Sequence, residues 1–232
     1  MPHLHFSNLA GTPLETAEIG VRIFCVGHNY QEHAKETGQA AAPEFPNFFT
    51  RFASSFVMGD EDIVTPKVSA RHDYEGELVV VIGKSGRHIP EASALEHVYG
   101  YTVGMDGSVR DWQRRTSQFT LGKNFDKSGA ISGKIVPADA LPAGAHGLKL
   151  QTRLNGELLQ DGNTADMVFG VAKLVSTLST VLEIQPGDLI LTGTPAGVGM
   201  ARDPRVFLKA GDVMEVSIEG IGTLKNRIVA EA

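Results

Sequence analysis

Cysteine occurs once in this chain, at Cys25. That scarcity excludes an intrachain disulfide and a cysteine-built metal cluster. Cys25 sits in the apolar run Ile23-Phe24-Cys25-Val26, the setting of a buried, inert thiol. Positive charge is also short. The net charge is −6 at pH 7, so the chain is not built to neutralise phosphate backbones, and no nucleic-acid partner is expected. A locally basic pocket for an anionic substrate stays open. No apolar run is long enough to span a bilayer, and the N-terminus has no basic stretch leading into an apolar core. The expectation is a soluble, cytoplasmic protein with no membrane partner.

Several catalytic signatures are missing as well. There is no Gly-x-Ser-x-Gly elbow. His28 and His33 are five apart and form no His-Glu-x-x-His zinc pattern. The stretch Gly193-Thr194-Pro195-Ala196-Gly197-Val198-Gly199 lacks the Lys-Ser/Thr ending of a P-loop, and Pro195 interrupts any dinucleotide fingerprint. It reads as a tight loop offering amides and a hydroxyl.

What is present suffices for a core. Hydrophobic residues make up 42% and charged residues of both signs 21%, which argues against wholesale disorder. The patterning predicts strands over 21–26, 78–82, 99–105 and 189–192, and short extended pieces over 48–52 and 62–65. Asn155-Gly156 between apolar runs predicts a hairpin. A second hairpin is expected around Gly220-Ile221-Gly222. Helices are expected over 91–97 behind Pro90, over 108–115 capped by Ser108, and over 168–182, where Val168, Val171, Ala172, Val175, Leu178 and Leu182 form one apolar stripe. Residues 29–37 read as a short polar helix or a loop. Strands dominate without regular βαβ alternation, so the fold class is α+β.

The most informative junction is His72-Asp73-Tyr74-Glu75-Gly76-Glu77 running into Leu78-Val79-Val80-Val81-Ile82. Glu75 and Glu77 are two apart, so on a strand their carboxylates share one face. Two like charges there repel and are costly to desolvate. A hard divalent cation, which prefers carboxylate oxygens, would resolve both problems; a solvated strand edge would also accommodate the pair. Asp106, where a strand gives way to a helix, could add a third oxygen ligand or be a plain turn residue. His33 and Glu36 are three apart. On a helix the carboxylate could orient the imidazole as a general base, or the two could be incidental neighbours on a polar face.

In order along the chain, Val26-Gly27-His28-Asn29-Tyr30 with His33 and Glu36, then Asp73-Tyr74-Glu75-Gly76-Glu77-Leu78, then Asp106-Gly107-Ser108-Val109-Arg110-Asp111-Trp112-Gln113, then Gly122-Lys123-Asn124-Phe125-Asp126, then Leu191-Thr192-Gly193-Thr194-Pro195 resemble the fumarylacetoacetate hydrolase superfamily, in its short single-domain branch. The resemblance implies a mixed β-roll of the C-terminal domain type with few flanking helices. Residues 1–20 read as a short N-terminal lead-in, and the resemblance runs over 21–232 as a single catalytic domain, usually a homodimer. It implies Mg²⁺ or Mn²⁺ held by Glu75, Glu77 and Asp106. His33 and Glu36 match the family's water-activating pair, and Lys123 the lysine near the reacting carbonyl. Arg51, Arg110, Gln113, Gly193 and Thr194 match positions that contact substrate or support the metal. Arg51 stands where many relatives have lysine, Met105 where close relatives often have asparagine, and Ser132-Gly133-Lys134 where many have Gly-Pro-Trp.

The implied activity is hydrolytic C–C cleavage of a small acylpyruvate-type β-diketo acid such as fumarylpyruvate, as in aromatic catabolism. The same site admits decarboxylation of an oxaloacetate-like 2-oxo acid, or isomerisation or decarboxylation of an aromatic ring-cleavage product. A non-catalytic small-molecule-binding homologue would retain many of the same residues.

Overall fold

Residues 7–8, 22–39 and 43–232 are described by the computed structural model. Along the chain lie β1 (Ser7–Asn8), β2 (Ile23–Gly27), helix α1 (Gln31–Glu36), β3 (Asn47–Arg51), β4 (Phe56–Met58), β5 (Ile63–Thr65), β6 (His72–Asp73), β7 (Gly76–Ile82) and β8 (Val98–Met105). After them come β9 (Ser108–Val109), α2 (Arg110–Gln113), α3 (Thr120–Lys123), β10 (Gly129–Ile131), β11 (Lys134–Pro137), β12 (Lys149–Leu154), β13 (Glu157–Asn163), α4 (Val171–Val181), β14 (Leu189–Leu191), β15 (Val213–Ile218) and β16 (Gly222–Ala230). The expected lead-in over residues 1–20 lies outside the described residues, apart from Ser7–Asn8, which pairs with Lys134–Ile135.

The strands form a mixed nine-stranded sheet, with β1, β11, β8, β7, β14, β2 and β3 side by side and β10 and β4 branching from β8. A second sheet runs β13, β12, β15, β16, β5. A two-stranded ribbon joins β6 and β9. This is the α+β class, with few helices.

Strand β7 shows why the sheets stack. All seven of its residues are buried, which is why its sequence runs apolar without alternating. Successive side chains still point to opposite faces. Leu78, Val80 and Ile82 join the large core with Leu150, Met214, Val216 and Ile218 of the second sheet. Val79 and Val81 join Ile23, Cys25, Leu189 and Leu191 in a smaller core on the far side. Gly76 is where the two sheets touch: a Cβ there would lie 2.2 Å from Thr152 Oγ1 and 2.9 Å from Val216 Cγ1.

The Asn155-Gly156 turn forms as expected, with both residues at positive φ, 52° and 86°, the geometry of a tight hairpin. The hairpin of β15 and β16 forms too. Helix α4 is shorter than its apolar stripe suggests. Extended Gly170 caps it at ψ 166°, and Val168 stays 38% exposed while its N–H donates to Asn29 O. The turn over Glu91–His97 is a 3-10 helix. The helix expected over 108–115 does not form at that length. Ser108 and Val109 pair with Asp73 and His72 as a strand, and the helix keeps only Arg110–Gln113. Ser108 Oγ donates to Asp106 O instead of capping. Pairing with β6 outweighs the local cap signal. Among the described residues no helix is long and apolar enough to cross a membrane.

Candidate active site

Strands β7 and β8 are antiparallel, with Gly76 opposite Met105 and Glu77 opposite Gly104. That register sets the start of one strand beside the end of the other, and Asp106 N–H donates to Glu75 O at 2.9 Å. Glu75, Glu77 and Asp106 therefore converge, each offering a carboxylate oxygen within 4.8 Å of the others. All three side chains are buried. They floor a cavity of about 360 Å³ whose walls include His28, His33, Phe49, Arg110, Lys123 and Thr194.

Cations surround the acids. Arg110 Nε donates to Asp73 Oδ2 and its Nη2 to Glu75 Oε1, both at 2.7 Å, while Nη1 donates to Gln113 Oε1 at 3.0 Å. Lys123 Nζ donates to Glu75 Oε2 and, at 2.6 Å, to Asp106 Oδ2. Arg51 Nη1 donates to Asp106 Oδ1 at 2.5 Å. Its other donors reach Ser55 and Ser128, and its guanidinium lies 4.1 Å from the Phe56 ring centroid. Arg51 does not line the cavity; it braces Asp106.

Burial would raise the Glu75 carboxyl, but the charges of Arg110 and Lys123 outweigh it and hold Glu75 well below the usual carboxylate range. Glu77 goes the other way. Burial, then the negative charges of Asp106 and Glu75, push it well above that range. It makes no ion pair among the described residues; its Oε2 accepts the Gly193 N–H at 2.8 Å. Burial likewise depresses Lys123, yet Asp106 and Glu75 more than compensate and raise it.

Helix α1 supplies the remaining pair. His33 Nδ1 lies 2.8 Å from Glu36 Oε1, and Glu36 Oε2 accepts the Gly197 N–H at 2.9 Å. The carboxylate is thus fixed from a distant loop and in turn fixes the imidazole. His28, at φ 58°, stacks on His33 with ring centroids 5.8 Å apart. Burial, then the charge of His33, lowers its pKa.

The fumarylacetoacetate (FAA) hydrolase C-terminal family matches residues 22–229. The chain belongs to this family. The human mitochondrial oxaloacetate tautomerase FAHD2A is 45% identical over 210 residues, spanning 90% of this chain and 66% of that protein. The oxaloacetate tautomerase YisK of Bacillus subtilis (strain 168) is 44% identical over 209 residues, 89% of this chain and 69% of that protein. The chain thus spans about two thirds of the length of these curated relatives. The crystal structure of fumarylpyruvate hydrolase from Pseudomonas aeruginosa in complex with Mn²⁺ and pyruvate superposes with TM-score 0.86 at 34% identity, covering 100% of this chain and 98% of that one.

The donor set of this family member fits a hard divalent cation. Three carboxylates converge, and Glu77 has neighbouring negative charge without a cation of its own. Oxygen-only ligation suits Mg²⁺ or Mn²⁺. Of the residues singled out in the sequence, Glu75, Glu77, Asp106, His33, Arg110, Gln113, Lys123 and Thr194 share the cavity wall. Glu36, Gly193 and Arg51 stand behind it, on His33, Glu77 and Asp106.

Two supports carry no local signal. Asp73 is fully buried and accepts from Arg110 Nε, from Gly199 N–H at 2.7 Å and from Met200 N–H at 3.0 Å. Gln160 accepts the Gly76 N–H at 3.0 Å and donates to Thr194 Oγ1 and Pro195 O, both at 2.8 Å. The amides of the glycine-rich loop were the available clue: they needed acceptors, and Glu36, Glu77 and Asp73 supply them.

Proposed function

We propose that this site binds a small 2-oxo acid and interconverts its keto and enol forms, as an oxaloacetate-type tautomerase. The observation that carries the reading is the His33–Glu36 pair at 2.8 Å on the wall of a cavity floored by three carboxylates. Glu36 accepts from Nδ1–H, which leaves Nε2 as the basic nitrogen. Glu75, Glu77 and Asp106 would hold a divalent cation, which would supply Lewis-acid polarisation to a bound 2-oxo acid. His33 takes the proton from C3 as the electron pair moves into the C2–C3 bond. The Lys123 ammonium gives a proton to the C2 oxygen, and both groups reset by exchange with water. The identities with oxaloacetate tautomerases support this reading.

Hydrolytic C–C cleavage of an acylpyruvate is the second reading. It is supported by the fumarylpyruvate hydrolase structure, which matches over nearly its whole length. There His33 would deprotonate water for attack on the distal carbonyl, and Lys123 would stabilise the oxyanion. Both reactions pass through charge on the C2 oxygen, so one site serves either.

The test follows oxaloacetate enol absorbance and fumarylpyruvate cleavage, each with and without Mg²⁺. Mg²⁺-dependent loss of enol signal that vanishes in His33→Ala supports the first reading. Cleavage of fumarylpyruvate without enol–keto conversion supports the second. Full activity of either kind in metal-stripped protein contradicts both.

A further inference from the structure

The cavity wall carries three strongly basic side chains, Arg110, Lys123 and Arg114. The first two are committed to carboxylates of the protein, Arg110 to Asp73 and Glu75 and Lys123 to Glu75 and Asp106. Arg114 is not. It sits at the C-terminal cap of α2, four residues after Arg110, so the two side chains leave the same helix face. It makes no ion pair among the described residues. Its guanidinium contacts Met200 Sδ at 4.0 Å, and Met200 also lines the cavity. The Met200 N–H is held by Asp73, the partner of Arg110. Arg114 is exposed at the cavity edge, and its charge has no carboxylate partner among the described residues. The hydroxyl-bearing Thr116 and Ser117 line the wall beside it.

A free guanidinium on the wall of an anion-binding cavity is matched by a carboxylate, which it can take bidentately. We propose that Arg114 binds the second carboxylate of a 2-oxo dicarboxylic acid and makes the site select dicarboxylates over monocarboxylates. The assignment rests on the reading above for where the chelating end of the substrate sits, and it adds the far end. The oxo-acid end lies against Glu75, Glu77, Asp106 and Lys123. The far carboxylate lies toward Arg114.

The experiment compares two ligands with the same 2-hydroxy-carboxylate end, malate and lactate, by calorimetry on Mg²⁺-loaded protein. Malate is expected to bind about tenfold tighter than lactate, the scale of one charge-assisted pair. In Arg114→Gln the preference collapses toward unity, and the loss is confined to malate. Arg114→Lys restores part of it. Arg115→Gln is the charge control, because Arg115 stacks 3.7 Å from the Trp112 ring centroid and does not line the cavity; it leaves the preference in place. An unchanged malate-to-lactate ratio in Arg114→Gln overturns the proposal, as does absent malate binding in the wild type. If the Arg114-dependent preference appears but oxaloacetate is not turned over, the tautomerase reading falls and the Arg114 assignment stands.

Discussion

Arg51 Nη1 and Asp106 Oδ1 lie 2.5 Å apart, and both side chains are almost wholly out of solvent. The remaining donors of Arg51 reach Ser55 Oγ, Ser55 O and Ser128 Oγ. The guanidinium thus ties β3 to the loop after β8. Removing Arg51 leaves Asp106 with Lys123 as its one remaining cation among the described residues and strips the hydrogen bonds to Ser55 and Ser128. Arg51→Ala should destabilise the protein by about 1.5–3 kcal/mol, the scale of hydrogen bonds to a charged group, read as a lower urea midpoint. Arg51→Lys keeps a charge for Asp106 but cannot reach both serines as well, so its midpoint should fall between the two. An unaltered midpoint in Arg51→Ala would show that the pair is dispensable.

The second prediction separates base from positioner. His33→Ala should lower kcat by about 10²–10⁴-fold, the usual worth of a general base. Glu36→Gln should lower it by about 10–100-fold, because Glu36 acts only through the tautomer and orientation of His33. KM should change little in Glu36→Gln, and its pH–rate profile should shift. An unshifted profile with reduced kcat would mean that Glu36 merely holds the Gly197 loop.

The third concerns acid stability. His72 is fully buried; its Nε2 donates to Ser128 O at 2.9 Å, and its Nδ1 has no hydrogen-bond partner among the described residues. Burial lowers its pKa to about 4, the Ser128 contact partly opposes that, and Arg51 and Arg110 add to the lowering. The unfolded chain takes up this proton near pH 6.5, whereas the folded chain resists until about pH 4. Stability from this group is therefore complete above about pH 6.5 and is lost as pH falls through the window. The loss amounts to about 3 kcal/mol. His72→Gln, which keeps a donor for Ser128, should flatten urea midpoints measured between pH 7 and 4. An equally steep fall in that variant would assign the acid sensitivity to other groups.

The fourth concerns the sheet contact at Gly76. Gly76→Ala places a methyl against Thr152 Oγ1 and Val216. Overpacking of this kind costs about 1–3 kcal/mol. Because Gly76 separates Glu75 from Glu77, Mg²⁺ affinity should drop together with thermal stability. A fall in stability with metal affinity intact would show that the carboxylates tolerate movement of the strand.

The parts legible in the sequence were those whose signal is local. The apolar run after Glu77 marked the central strand, Asn155-Gly156 marked a hairpin, and the spacing of His33 and Glu36 put them on one helix face. The convergence of Asp106 with Glu75 and Glu77 was suggested by ordered motifs, and its cause is the antiparallel register of β7 and β8. What could not be read depends on distant chain. Arg51 reaches Asp106 across 55 positions, and Gly199 reaches Asp73 across 126. Ser108 carries a good cap signal, but the strand partner His72–Asp73 decides its conformation. Local preference of this size yields to tertiary pairing.

If Glu75, Glu77 and Asp106 grip one divalent cation against which a 2-oxo acid reacts, a manganese-soaked crystal will show it in diffraction collected at the manganese absorption edge. One strong anomalous peak bonded to oxygens of all three side chains is expected, with its loss in Glu77→Gln. A fully soaked crystal with no peak there, or with manganese bound elsewhere in the cavity, would contradict it.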